Sequence, residues 1–296
     1  MQPDSIQQVK FDRTKHPGIE FDIFPLEQLK GRTDLDPPIE VLHRVGFYNL
    51  LFIQSGTGIH TTDFEDHPYG PGCVVTVRKD QIHCFKEIAA RGYLLLFTEE
   101  FLVSYLEPTG AHLISELFNE LLYPQSTQLT PDQSDKIGAL VHDIEQEFAQ
   151  PLDAHTSGII RNLLQVLVSR LLRIRKADTP QPQDSTYLPS FLQLQRLVET
   201  QCTQTRSVKD YAEQMGVTPK TLSNITHRIL GKSPKAFIDE TATLQIKRLL
   251  INSSLSVKEI AYQTGFEEPT NLFKFFKRYT QLTPQEFRER YASFSW

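Results

Sequence analysis

Apolar positions along this 296-residue chain follow three successive rhythms. Between residues 39 and 98 they come in short, dense bursts rich in β-branched and aromatic side chains: Val41–Ile53, Ile59–Phe64, Val74–Val77, Ile82–Phe85 and Tyr93–Thr98. Breaks at Ser55-Gly56-Thr57-Gly58, Pro68-Tyr69-Gly70-Pro71-Gly72 and Arg78-Lys79-Asp80 separate them. Short strands with this punctuation predict a β-sandwich or small barrel, and Gly18–Phe24 reads as a further short strand or arm. From Glu100 the pattern turns helical, most clearly over Asp132–Phe148 and Ser157–Lys176. In the latter, Ile160, Leu163, Leu164, Leu167, Leu171 and Ile174 fall near heptad spacing, which suits packing on the barrel or a seam with a second copy. The Pro-, Gln- and Asp-rich stretch 177–187 reads as a linker.

The third rhythm begins at Leu188 and contains a repeat. In Pro269–Tyr279, Leu272, Phe275, Phe276 and Tyr279 form an apolar stripe at i, i+3, i+4 and i+7. Thr270, Asn271, Lys274, Lys277 and Arg278 occupy the opposite face, with three positive charges and no acid. Pro269 suits the first helical position and Glu268 the N-cap before it. The same unit occurs earlier. Ser207-Val208-Lys209-Asp210, Ala212, Gln214 and Gly216 recur 49 positions later as Ser256-Val257-Lys258-Glu259, Ala261, Gln263 and Gly265. Beyond the turn the offset is 50, so Leu222, Arg228, Ser233-Pro234 and Phe237 match Leu272, Arg278, Thr283-Pro284 and Phe287. The outer face of the first copy is Lys220, Thr221, Asn224, His227 and Arg228, set against Leu222, Ile225 and Ile229. A short helix held by its apolar back and presenting amide, hydroxyl and basic groups suits major-groove insertion, and the duplication predicts two helix-turn-helix units.

On these residues, 188–296 resembles the DNA-binding domain of the AraC/XylS family of bacterial transcription regulators. The segment GFEEPTNLFKFFKRY with Thr283-Pro284 and Phe287-Arg288 carries the resemblance most strongly. It implies a first unit over 207–230, a connecting helix over Pro234–Asn252 and a second unit over 256–280. Four positions depart from the family pattern. Gln281 replaces a Gly after the second recognition helix, where a left-handed cap costs a non-Gly residue about 1 kcal/mol. Phe273 replaces a small polar residue, Ile246 an Ala and Thr226 an aromatic. HRVGFYNLLFIQSGTGIHTTDF, PGCVVTVRKDQIHCF and GYLLLFTEEFL resemble the cupin-like sensor domain found ahead of the same module. The fold class expected is therefore α+β in two domains. Residues 1–176 would form a cupin-like β-barrel (about 18–98) with a helical dimerisation segment (100–176), and 188–296 an all-α double helix-turn-helix domain.

Net charge is −5, which by itself speaks against nucleic acid. Division of the chain reverses this. From Leu188 onward there are 15 Lys and Arg against 10 Asp and Glu, leaving 16 and 26 of the chain's 31 and 36 in the rest. A basic module binds phosphate while an acidic one stays off DNA. Lys232, Lys235, Lys247 and Arg248 are candidates for phosphate contacts. Three scattered cysteines, Cys73, Cys84 and Cys202, suit a reducing compartment. The charged N-terminal residues and the lack of an apolar run of ~18 residues predict a cytoplasmic protein without a membrane span.

Arg44, His60, Arg78 and His83 are the candidates for recognising a small effector. A cupin enzyme would hold a metal, but His60 and His67 are seven apart across an expected loop and do not share a strand face, so no metal or other cofactor is expected. The partners implied are double-stranded promoter DNA, a small-molecule effector, a second copy of the chain and RNA polymerase. The activity read is sequence-specific transcription regulation, not enzymatic. The alternatives are a metal-dependent cupin enzyme fused to a DNA-binding domain, or a regulator governed by a protein partner without a ligand.

Overall fold

The computed structural model describes residues 6–14, 18–29, 36–103, 109–178 and 185–292. They form two compact units, Gln7–Pro180 and one built on Gln181–Trp296. The fold is α+β: the first unit is rich in sheet and the second is helical.

Strands of the first unit are β1 (Gln8–Val9), β2 (Phe21–Pro25), β3 (His43–Val45), β4 (Tyr48–Thr62), β5 (Glu65–Tyr69), β6 (Cys73–Val77) and β7 (Ile82–Phe97). Helices α1 (Glu99–Val103) and α2 (Thr109–Leu117), strand β8 (Ser126–Gln128), and helices α3 (Pro131–Phe148) and α4 (Thr156–Asp178) follow. The hydrogen-bonded order is β1-β3-β7-β4-β6-β8, with β2 beside β7 and β5 beside β4. The spine is the antiparallel pair β4 and β7, of 15 and 16 residues.

Two expected breaks fall within strands, one in this spine and one in β5. Ser55–Gly58 is not a turn: it pairs with Arg91–Ile88 in mid-strand, between register shifts at Ile53/Ser55 and Ile59/His60. Gly56, at φ 80°, comes so close to its neighbour that a Cβ would lie 2.7 Å from the Ala90 Cα. The glycine that reads as a turn in sequence serves here as a bulge that bends a long strand. The second misplaced break is Pro68-Tyr69, which closes β5. Pro68 is tolerated because β5 pairs only with β4 and so lies at an edge among the described residues. The β4–β5 turn is Asp63-Phe64, both at positive φ (47° and 75°), the backbone that a two-residue hairpin favours.

Over Tyr48–Ile53 both faces of β4 are buried, which explains the apolar run there, whereas residues 54–57 are exposed. Leu50, Phe52, Leu95 and Phe97 pack with Ile137, Val141 and Ile144 of α3 and Ile160, Leu164, Leu167 and Leu171 of α4. The opposite face encloses Leu51, Ile53, Val75, Phe85 and Leu94 with Leu26 and Leu29. The near-heptad residues of α4 are thus mostly spent on their own unit; Ile159 and Val166, seven apart on its outer side, are 41% and 43% exposed. Arg175 near the end of α4 is buried and donates to Thr127 Oγ1, Thr76 Oγ1 and the Leu117 and Gln125 carbonyls, and burial pushes its pKa down to about 10.

Both margins of the expected linker are helical: α4 continues through Asp178, and Ser185–Tyr187 make a 3-10 turn. Residues 179–184 lie outside the described residues. The second unit comprises α5 (Leu188–Gln201), α6 (Val208–Gln214), α7 (Pro219–Leu230), α8 (Pro234–Asn252), α9 (Val257–Gln263), α10 (Pro269–Thr280) and α11 (Pro284–Ala292). Helix α5, which precedes the first repeat unit, inserts Phe191, Leu194 and Val198 into the core, with Phe191 and Phe237 ring centroids 5.8 Å apart. Connector α8 buries Phe237, Ile238, Ala242, Ile246, Leu250 and Ile251. Its termini are fastened: Ser233 accepts from the Ala236 N–H at the start, and Arg288 donates to the Leu250 and Leu255 carbonyls at the far end.

Candidate nucleic-acid interface

Each helix-turn-helix unit is built from local signals. Helix α6 is capped by Ser207, which accepts from Asp210 N–H, and α9 by a capping box of Ser256 and Glu259. Ala212 and Ala261 are buried at the crossing with the recognition helix. Gly216 (φ 65°) and Gly265 (φ 74°) adopt the left-handed turn, closed by Val217 N–H to Ala212 O and Phe266 N–H to Ala261 O, both 2.9 Å.

The recognition helices α7 and α10 are each 12 residues long. Leu222, Ile225, Leu272 and Phe276 are buried, with Ile229, Phe275 and Tyr279 partly so. On the outer faces Lys220, Asn224, His227 and Arg228 of α7 are exposed and Thr221 is partly so; Thr270, Asn271, Lys274, Lys277 and Arg278 of α10 are all exposed. A groove of about 580 Å³ lies along α10, lined by Asn271, Lys274, Phe275 and Arg278 together with Arg206, Phe266 and Glu267.

Several candidate roles change in the structure. Glu268 occupies the N-cap of α10 but makes no side-chain cap bond, whereas Thr218 of α7 accepts from Thr221 N–H. The cap after α10 keeps its left-handed form without Gly: Gln281 itself sits at φ 62°, its N–H bonded to Lys277 O, as Gly231 does at φ 67° after α7. Thr226 is fully buried and donates to Ser223 O, which satisfies its hydroxyl. Arg248 is buried and cannot meet a phosphate; Lys232 and Lys235 are ion-paired with Glu240 and Asp239, each at 2.7 Å. Arg278 leans toward the buried carboxylate of Asp239, 3.6 Å away, and over the Tyr279 ring. The Tyr279 hydroxyl donates to Asp239 at 2.9 Å, and burial, then this carboxylate, raise its pKa.

In the first unit, His60 and His83 meet: their Nε2 and Nδ1 atoms are 2.9 Å apart, and the His43 ring lies 4.4 Å from that of His83. All three are buried. Burial, then neighbouring imidazoles, push His60 down to about 3 and His83 well below its ordinary value, so both are neutral at neutral pH. The loop expected between His60 and His67 is the two-residue turn 63–64. This makes them direct partners across β4 and β5, a proximity that the seven-residue spacing concealed. Arg44 and Arg78 do not join the histidines: Arg44 is next to His43 on β3 and so faces the other side of the sheet, and Arg78 pairs with Glu120 at 3.0 Å. Among the described residues, no group of three or more His, Cys, Asp or Glu is arranged to hold a metal ion.

Two short helices with buried backs and basic, amide-bearing fronts, joined by one buried connector, define a double helix-turn-helix DNA-binding protein. Residues 211–290 match the helix-turn-helix domain family, and residues 41–164 match the AraC-like ligand binding domain family. The chain belongs to the AraC/XylS family of DNA-binding transcription regulators. It is 23% identical over 254 residues to the HTH-type transcriptional activator RhaS of Escherichia coli O81 (strain ED1a), covering 83% of this chain and 87% of that protein. RhaS of Enterobacter sp. (strain 638) is 22% identical over the same length, with the same coverage. Among solved structures, ToxT from Vibrio cholerae spans 91% of this chain and 98% of its own at 11% identity, with a TM-score of 0.42, too loose a likeness to place any residue.

Proposed function

We propose that this regulator acts in the cytoplasm and activates transcription by placing α7 and α10 in successive major-groove faces of promoter DNA, about one helical turn (~34 Å) apart. The observation that carries this reading is the outward row on each helix: Lys220, Thr221, Asn224, His227 and Arg228 on α7, and Thr270, Asn271, Lys274, Lys277 and Arg278 on α10. Asn224, Asn271, Lys220, Lys274 and Arg278 reach base edges, and the remaining cations and helix N-termini hold phosphates. Activation, with RNA polymerase as the recipient, is supported by the named activity of the RhaS relatives. Their role as regulators also supports a non-enzymatic chain, and no helix among the described residues is long and apolar enough to cross a membrane.

The sheet unit senses a small effector, and a ligand acts there only if it binds the DNA-competent and incompetent states with different affinity. The His43–His60–His83 cluster is the part of that unit best suited to polar recognition, because the buried His83 Nε2 has no hydrogen-bond partner among the described residues. A second copy of the chain docks on α4, supported by the exposed pair Ile159 and Val166.

Selection of duplexes from a random pool by the full chain tests the DNA reading. The expected product has two half-sites about ten base pairs apart, and roughly six neutralised phosphates give a slope of log K against log salt near −5. Recovery of no enriched sequence, or of a single half-site, would overturn it.

A further inference from the structure

Connector α8 is not the only tie between the two helix-turn-helix units. The loop before α6 is fastened directly to the turn of the second unit. Gly265 passes so close to that loop that a Cβ on it would stand 2.7 Å from the Thr203 carbonyl oxygen. Beside this approach, Arg206 lays its guanidinium over Phe266, 3.7 Å from the ring centroid, and 5.2 Å from that of Phe275. The two rings are themselves in contact, with centroids 5.3 Å apart. Phe275 belongs to α10, so the stack reaches the second recognition helix itself. The Arg206 side chain also donates to the Thr264 carbonyl at 3.5 Å.

The backbone of Arg206 is held too. Its carbonyl accepts from Lys235 Nζ at 3.2 Å, and the same ammonium lies 2.7 Å from Asp239 Oδ1. Asp239 in turn accepts from Tyr279 on α10. The loop in front of the first unit is therefore linked to α10 by two routes, one aromatic and one ionic. The repeat marks this as particular to one position: Arg206 matches Leu255 in the second copy, and Phe266 matches Val217 in the first.

We propose that Arg206 is a positioning residue that fixes the phase of α10 relative to α7, so that the protein selects the spacing between its two half-sites. This rests on the reading that both helices enter the groove. One added base pair moves the second half-site by about 3.4 Å along the axis and turns it around the duplex. A braced pair of helices cannot follow that displacement, whereas a pair joined through α8 alone adjusts to it. The planar guanidinium is suited to the task because it stacks on a ring while its N–H groups stay free to bond a carbonyl, which an ammonium does not reproduce.

The test uses the full chain and a duplex selected from a random pool by the wild-type protein, with one or two base pairs then inserted between its half-sites. The quantity read is the ratio of Kd for the inserted and parent duplexes. The wild type is expected to discriminate by about five- to thirtyfold, the scale of a partly buried cation–π contact. Arg206→Lys keeps the charge and loses the stack, and its ratio is expected to fall to about twofold. Phe266→Tyr retains a ring and should keep the wild-type ratio. A wild-type ratio in Arg206→Lys would show that charge alone suffices and would overturn the brace. If Arg206→Lys fails to fold, Phe266→Leu answers the same question, and a wild-type ratio in that variant overturns the brace equally. A wild-type chain indifferent to the insertion would overturn the brace but not the two-helix reading, which falls if no paired half-site is recovered from the pool.

Discussion

At the turn of the first helix-turn-helix unit, a Cβ added to Gly216 would meet nothing within 4 Å; at the turn of the second, Gly265 lies against the backbone of Thr203. The two units have the same helix lengths, the same left-handed turn and the same buried Ala at the crossing. They differ in what fastens them. The first closes its recognition helix with local devices, a Thr218 cap in front and Gly231 behind. The second has neither: Glu268 makes no side-chain cap bond and Gln281 takes the left-handed position. Its helix is held instead by long-range contacts, through Phe266 and Phe275 to Arg206 and through Tyr279 to Asp239. One backbone device is thus stabilised locally in one copy and by tertiary packing in the other. Helix stability in proteins comes mostly from such packing, so the second unit tolerates the weaker caps.

The glycines should separate the units most. Gly265→Ala adds a steric collision to the cost of a positive φ, and is expected to destabilise the protein by roughly 2–4 kcal/mol, against about 1 kcal/mol for Gly216→Ala. Chemical denaturation of both variants measures this, and equal losses would remove the distinction. Next in size is DNA binding. Lys274 and its counterpart Asn224 occupy the same repeat position, and Lys274→Ala should weaken specific binding by about 1–3 kcal/mol if it reads a base. Equal weakening on random DNA, with the salt slope reduced by about 1, would assign it to phosphate, an outcome that Asn224→Ala cannot show.

A smaller effect distinguishes the N-caps. Thr218→Ala should cost about 1 kcal/mol through the lost bond to Thr221 N–H, whereas Glu268→Ala should leave the thermal midpoint nearly unchanged. A comparable loss at both would mean that Glu268 supports its helix in another way. The smallest concerns the helix ends: Gln281→Gly should stabilise the protein by roughly 0.5–1 kcal/mol by relieving the left-handed φ of 62°. A destabilised Gln281→Gly would show that its side-chain bond to the Arg278 carbonyl outweighs that strain.

The apolar stripes of α7 and α10, and the proline start of α10 at Pro269, are legible in local spacing, whereas the limits of α8, Pro234–Asn252, follow from the family resemblance. The duplicated spacing identified both units and their outward faces, because a helix exposes whatever its apolar stripe does not bury. Local reading fails in the sheet, where Ser55–Gly58 has the composition of a turn and is instead the bend of a 15-residue strand. A glycine run permits either outcome, and only the partner strand chooses between them. Which candidates share a site was likewise a tertiary matter: strand pairing brings His43, His60 and His83 together, while Arg44 and Arg78 are carried elsewhere. Arg206 shows the division most clearly. By itself the sequence determined two helices with basic, amide-bearing outer faces, and the family resemblance supplied the connector between them. The stack that joins the first unit's leading loop to the second recognition helix depends on residues far apart in the chain, and only the folded protein places that guanidinium over that ring.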